Sequence, residues 1–344
     1  MAFFREGRER SAGATPDAVL CRALHAVLDH DLTGAETALS EMLRRDSSQV
    51  DAYLALASVY RQRGEIGRAI HLHQNLLLRR DLDSDARFQA LLGLADDFRE
   101  GGFLRRAIAA YEEVLTRAPR DARALRALVQ LLVDARELRR AVPFAKRLAR
   151  IDGVQARTLE AQVHIELAQV ERGEGRTQAA RKALRRGLEL DPRAVSAWVA
   201  LGEVEAELGR SKDAVAAWQH VAAVDRRAGS LVYPRIAAAL SALGRPRDYE
   251  AWLRELLVGD GDDAAARLAL ARALAARGAS SEALDEVATV LDREPQNLEA
   301  HAVRGRILLS EGRDAEVVKA HEALLDLLER EYPLRPANVD DAFA

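Results

Sequence analysis

The feature that most constrains this chain is a repeated pattern of bulky, small and glycine residues between positions 50 and 115. The second copy follows the first at a constant offset, with Tyr53, Leu56, Ala57, Tyr60, Gly64 and Ala69 repeated as Leu91, Leu94, Ala95, Phe98, Gly102 and Ala107. Bulky residues spaced three and four apart predict a helix with one apolar face, and the glycine predicts its end. Such units must stack on each other, because a single unit cannot bury its own apolar face.

The small residue in the second helix of the unit recurs along the chain, which makes it a marker for each repeat. The markers are Ala35, Ala69, Ala107, Ala141, Ala180, Ala214, Tyr249, Ala283 and Val317, separated by 34, 38, 34, 39, 34, 35, 34 and 34 residues. In this pattern and period the chain resembles the tetratricopeptide repeat (TPR) family. We therefore predict an all-α, right-handed TPR superhelical solenoid of about nine helix-turn-helix repeats at residues 16–331, with flexible segments at 1–15 and 332–344.

Four local departures from the repeat pattern predict local differences in structure. His30 and Arg136 stand where the other repeats have a turn glycine, which predicts a different turn in repeats one and four. A longer spacer before repeat five predicts a longer first helix there, and Pro234 predicts a kink or a short first turn in repeat seven. Trp198 and Trp218 fill the two aromatic positions of repeat six, and we expect them to pack against each other.

Charge and composition make several classes of function unfavourable. The net charge of −3 and the aromatic content of 5% do not favour nucleic acid as a partner. The sequence also contains no apolar stretch of the length of a signal peptide or a membrane span. The expected location is therefore the cytoplasm, with a peripheral position at the inner membrane as the alternative and no direct membrane span.

The residues that could support catalysis or metal binding form no recognisable motif. Cys21 is the only cysteine, so no cysteine-based zinc site can form within one chain. His73 lies on the core side of its helix, whereas His301 and His321 occupy positions in repeat nine that should face each other without a third ligand. Nucleophile elbow, P-loop, dinucleotide-turn and HExxH motifs are all missing from the sequence. We predict no enzyme activity, no cofactor and no metal site.

In a TPR array the first helix of each repeat lines a concave groove, and the residues not used by the core face a partner. The predicted groove residues are Arg61, Asp96, Arg99, Arg123, Arg126, Gln130, Gln162, Gln169 and Arg172. The later repeats place Val199, Glu203, Ala238, Leu268 and Ala302 at the same positions, which is a more apolar lining. The groove is expected to bind a protein or peptide with acidic residues toward one end and apolar residues toward the other. The alternative is that these arginines are solvated or paired with acidic residues of the chain.

A further resemblance is to the lipopolysaccharide assembly protein B family. It is carried by a pattern of the form RGExxRAIxxHQ, which this chain matches with Arg63, Gly64, Glu65, Arg68, Ala69, Ile70, His73 and Gln74. The resemblance implies an adaptor that brings the lipid A deacetylase to the FtsH membrane protease, and so regulates lipopolysaccharide biosynthesis. This sequence shows neither the membrane helix of that family nor its four zinc-binding cysteines, which puts the direct link to the protease in doubt. The competing interpretation is a generic bacterial TPR scaffold for another complex, such as a secretion, pilus or signalling complex.

Overall fold

The computed structural model describes residues 29–259 and 261–331, together with Cys21, His25 and Ala26. Within these residues all regular elements are helices, which confirms the predicted all-α fold. The α-helices are α1 (Leu32–Arg45), α2 (Val50–Gln62), α3 (Ile66–Leu78), α4 (Ser84–Glu100), α5 (Leu104–Arg117), α6 (Ala122–Asp134), α7 (Leu138–Asp152), α8 (Val154–Gly173), α9 (Thr177–Leu190), α10 (Val195–Glu207), α11 (Ser211–Val224), α12 (Tyr233–Ala242), α13 (Pro246–Gly259), α14 (Ala264–Ala276), α15 (Ser280–Arg293), α16 (Leu298–Ser310) and α17 (Asp314–Glu331).

Consecutive helices form the helix-turn-helix pairs of the repeats, from α2 with α3 to α16 with α17, and α1 is the second helix of repeat one. The marker alanines explain how closely the helices pack. All seven are fully buried at 0% exposure: Ala35, Ala69, Ala107, Ala141, Ala180, Ala214 and Ala283. A methyl group at this position lets the neighbouring backbone approach, whereas a larger side chain would hold the helices apart. Tyr249 is also buried, and Val317 in the last described helix is half-buried.

The turn between the two helices of a repeat has one backbone conformation throughout the described chain. Its glycines have φ between 69° and 84°, and His30 and Arg136 have φ of 59° in the same left-handed region. The residue after the turn residue donates its backbone N–H to the carbonyl oxygen five residues earlier and so closes the first helix. The N to O distance is 2.8 Å for both Glu65 to Tyr60 and Glu137 to Leu132. The prediction of a different turn at His30 and Arg136 is therefore wrong. This hydrogen bond imposes a left-handed residue at the turn, whether or not that residue is glycine.

The chain divides into two compact units, residues 1–166 and 167–344, and the boundary between them falls within α8. The largest fully buried side chains of the N-terminal unit are Tyr111 and a set of leucines at 39, 125, 128, 132, 138 and 148. The C-terminal unit has its own core around Trp218, Ile236, Leu253 and Leu270. At 20 residues α8 is the longest described helix, which confirms the prediction of a lengthened first helix in repeat five.

The first helix of repeat seven is interrupted. A 3-10 helix at Arg226–Leu231 precedes α12, which is only 10 residues long and carries Pro234 in its first turn. Proline is tolerated there because the first helical amides have no partner within the helix. The sequence predicted a kink or a short first turn at Pro234, and the structure has a break in the helix just before that residue.

The two tryptophans of repeat six, which were predicted to pack against each other, belong to the same core region, but each ring lies against a different neighbour. The Trp198 ring packs on the His220 imidazole, with 4.1 Å between ring centroids. Trp218 instead lies against Gly202, where a Cβ atom would overlap its indole, and it donates a hydrogen bond to the Val199 carbonyl at 3.3 Å. The missing side chain at Gly202 creates the space that Trp218 fills, and this accounts for the difference.

Candidate functional site

Arg61, the first of the predicted groove residues, is engaged in a buried polar network that joins repeat two to repeat three. Its Nη1 atom lies 2.8 Å from Oδ1 of Asp97 on α4. The other oxygen of Asp97 lies 2.6 Å from Nδ1 of His73 on α3. Asp97 has 0% exposure and His73 has 2%. His73 is thus buried, as its helical position predicted, but its partner Asp97 was missed. The signal available in the sequence was an acidic pair, Asp96 and Asp97, within an otherwise apolar run.

Asp96 differs more strongly from the prediction, because it is 3% exposed and does not line an open surface. Its carboxylate accepts a hydrogen bond from the hydroxyl of Tyr111, which is fully buried, and it pairs with Arg123 of the next repeat. Burial, and then the hydrogen bond to Asp96, raise the pKa of Tyr111 well above its ordinary value. Asp96 therefore links α4, α5 and α6 rather than offering a charge to a partner.

The other predicted residues of the N-terminal unit are exposed. Arg99 pairs with its neighbour Glu100 at 2.9 Å, and Arg126 pairs with Asp152 at the end of α7. Two glutamines donate to acidic residues one helical turn later on the same helix: Gln130 to Asp134 at 3.0 Å and Gln162 to Glu166 at 3.2 Å. Exposed pairs of this kind contribute little stability, so a ligand carboxylate can displace them at small cost.

In the C-terminal unit, Gln169 is exposed and Arg172 is held by two acidic residues of the next repeat. Arg172 Nη1 lies 2.5 Å from Glu203 Oε2, and its Nε lies 2.8 Å from Glu207 Oε1. Glu203 also pairs with Arg235 of repeat seven at 3.2 Å. These contacts form a charged chain from α8 to α10 and α12.

All five predicted arginines pair with acidic residues of the chain, and they differ in how buried those partners are. Arg61, Arg123 and Arg172 pair with acids in adjacent repeats, whereas Arg99 and Arg126 are exposed with exposed partners. Leu268 is in the core at 1% exposure, so it does not contribute to the apolar lining predicted for the later repeats.

His301 and His321 line one small cavity of about 200 Å³, together with Gly305. A ring nitrogen of each contacts a backbone carbonyl at 2.9 Å, that of Pro295 for His301 and that of Val317 for His321. In the part of the chain that the structure describes, no group of three or more His, Cys, Asp or Glu residues could hold a metal ion. The same described residues include no helix long and apolar enough to cross a membrane.

Stacked helix pairs, buried marker residues and left-handed turns define a tetratricopeptide array. The tetratricopeptide repeat family model matches residues 22–86, 92–156 and 165–230, and the chain belongs to this family. The fold is typical of non-enzymatic scaffolds for protein interaction.

Among curated proteins, the chain is similar to lipopolysaccharide assembly protein B of Escherichia coli K12. The two are 27% identical over 287 residues, which cover 83% of this chain and 72% of the relative. The proteins of the same name from strains O6:H1 and O157:H7 match to the same extent.

Solved structures with partial similarity include two tetratricopeptide proteins. MamA is 22% identical, with a TM-score of 0.36, and covers 52% of this chain and 93% of its own. YrrB, described as a TPR protein with an unusual peptide-binding site, is 19% identical with a TM-score of 0.39 and covers 60% of this chain and 98% of its own. At TM-scores this low, neither structure adds support for the family.

Proposed function

We propose that this protein is a non-catalytic adaptor that regulates lipopolysaccharide biosynthesis through turnover of the lipid A deacetylase. The observation that carries the proposal is the similarity to lipopolysaccharide assembly protein B over 83% of the chain. In this role the array binds a segment of the deacetylase and presents it to the FtsH membrane protease. The protein acts in the cytoplasm, at the face of the inner membrane where such a protease works.

The docking surface in this proposal is the exposed polar face of the first helices in the N-terminal unit. Arg99 and Arg126 support it, since the side chains of these arginines are 44% and 51% exposed. A guanidinium group presents a fork of donors that matches a carboxylate, so an acidic segment is the expected ligand. Gln130 on α6 and Gln162 on α8 are also exposed on first helices and can donate to the backbone of that segment.

The surface is tested by reversing two charges that the fold does not need. We expect the double variant Arg99→Glu, Arg126→Glu to lose capture of the purified deacetylase, because two cations become anions facing an acidic segment. The matched control is Arg105→Glu, Arg120→Glu, which changes the net charge equally at exposed positions outside the predicted groove. Equal capture by both double variants, with unchanged circular dichroism, would remove this docking surface.

The cellular role is tested separately by deleting the gene and measuring two quantities. The proposal predicts raised deacetylase abundance and altered lipopolysaccharide content in the deletion strain. If neither changes, the protein is better regarded as a scaffold for another bacterial complex, such as a secretion, pilus or signalling complex. That outcome would leave the TPR fold and its protein-binding role intact.

A further inference from the structure

A cavity of about 610 Å³ lies within the C-terminal unit at the irregular repeat seven. The sequence explains why it opens there. Tyr249 replaces the small marker residue that lets paired helices approach in the other repeats. The first helix of this repeat is also broken before Pro234, and α12 is only 10 residues long. The same two departures that make the repeat irregular therefore leave space between its helices.

The walls of the cavity are mainly apolar. They consist of the rings of Tyr233, Pro234, Pro246 and Tyr249 and the methyl groups of alanines 237, 265, 269, 273 and 276. A volume of this size and an apolar, aromatic lining are typical of sites for small organic molecules, which usually span about 300 to 1,000 Å³. The lining favours a ligand with an apolar or aromatic body.

Tyr249 also brings a polar group that the protein leaves without a partner. The residue is 5% exposed, and its hydroxyl forms no hydrogen bond with any residue in the described ranges. A tyrosine hydroxyl is protonated at neutral pH and can donate, and desolvation raises the pKa of Tyr249 further above its ordinary value. The hydroxyl oxygen is not among the fully buried, unpaired atoms of the described residues, and Tyr249 lines the cavity, so a polar atom of a ligand there would accept its hydrogen bond.

The cavity lining contains three arginines and two glutamates, so it carries one more positive than negative side chain. Arg272 pairs with Glu299 at 2.6 Å, and Arg277 pairs with Glu250 at 3.3 Å. Arg247 also lines the cavity, is exposed, and has no acidic partner among the residues that the structure describes. An anionic group of a ligand at this edge would give Arg247 the acidic partner that Arg272 and Arg277 already have.

We propose that this cavity binds a small amphipathic organic anion. Its apolar or aromatic body packs against the alanines and tyrosine rings, and its carboxylate or similar group pairs with Arg247. The Tyr249 hydroxyl donates a hydrogen bond to a polar atom of the same ligand. This site is separate from the protein-binding surface proposed above and does not depend on it.

The test is a fluorescence titration of the full chain with 8-anilino-1-naphthalenesulfonate, which combines an aromatic body with one anionic group. We expect saturable binding of one molecule per chain, displacement by decanoate, and weaker binding of the uncharged analogue N-phenyl-1-naphthylamine. Ala276→Trp places an indole in the mouth of the cavity at an exposed position, and should weaken binding by at least about tenfold. Arg247→Glu should weaken binding of the anion by roughly fivefold and leave the uncharged analogue unaffected.

Two control variants carry the same chemical changes at exposed positions that do not line the cavity. Ala251→Trp on α13 and Arg227→Glu before α12 should bind the probe within about twofold of the unchanged protein. The proposal is overturned if Ala276→Trp and Ala251→Trp bind equally well, or if the probe binds without saturation. It is also overturned if decanoate fails to displace the probe or if the uncharged analogue binds as tightly as the anion.

Discussion

Replacing Asp97 by alanine should destabilise the N-terminal unit by about 3 kcal/mol. Asp97 has 0% exposure and is the common partner of Arg61 and His73, so its removal leaves the buried His73 and the partly buried Arg61 without their acceptor. Loss of one partner from a buried ion pair typically costs about 3 to 5 kcal/mol. The lower end applies here because the Arg61 side chain is 19% exposed and can recover water. Asp97→Asn preserves the shape and one acceptor, and should cost about 1 to 2 kcal/mol.

The assay is urea unfolding followed by circular dichroism and by tryptophan fluorescence, and it relies on where the tryptophans lie. All three, Trp198, Trp218 and Trp252, lie in the C-terminal unit, whereas far-ultraviolet circular dichroism reports on helices in both units. Because repeats contact mainly their neighbours, urea should unfold the Asp97→Ala variant earlier by circular dichroism than by tryptophan fluorescence. Asp85→Ala is the matched control, since Asp85 is an exposed residue in the first turn of the same helix.

The control should change the free energy of unfolding by no more than about 0.5 kcal/mol. If Asp97→Ala costs no more than Asp85→Ala, the buried network does not hold repeats two and three together. Equal shifts of both signals would instead refute the expectation that the damage stays near the mutated repeat.

Three further predictions follow from particular residues. Arg136→Gly should stabilise the protein relative to Arg136→Ala by about 1 kcal/mol in urea unfolding, since glycine adopts positive φ without strain. Gly202→Ala should destabilise it by about 1 to 3 kcal/mol, because the added methyl group overlaps Trp218, and calorimetry should show a lower Tm. Stability should also fall as pH rises above about 10, where unfolded tyrosines ionise while the buried ones stay protonated because burial raises their pKa. Alkaline unfolding monitored at the tyrosinate absorbance checks this for Tyr111, Tyr233 and Tyr249.

Much of the predicted groove could not be assigned from sequence alone. The helical positions of Arg61, Arg123 and Arg172 were identified correctly, but their side chains reach acids that lie 27 to 36 residues away in the chain. Whether residues so far apart in the sequence meet in space depends on how adjacent repeats pack. A periodic pattern locates a residue on a helix face, whereas the end of a long arginine side chain is placed by its neighbours.

By itself, the sequence determined the family, the helix pairs and the irregularity of repeat seven. It could do so because apolar periodicity, small marker residues and proline act over a few residues of the same chain. Tertiary structure alone decided that Arg136 turns as glycine does, that Asp96 and Asp97 are buried, and that Trp218 lies on Gly202. It also decided that repeat seven contains a cavity lined by Tyr249. Each of these depends on the space left between packed helices, which no single helix encodes.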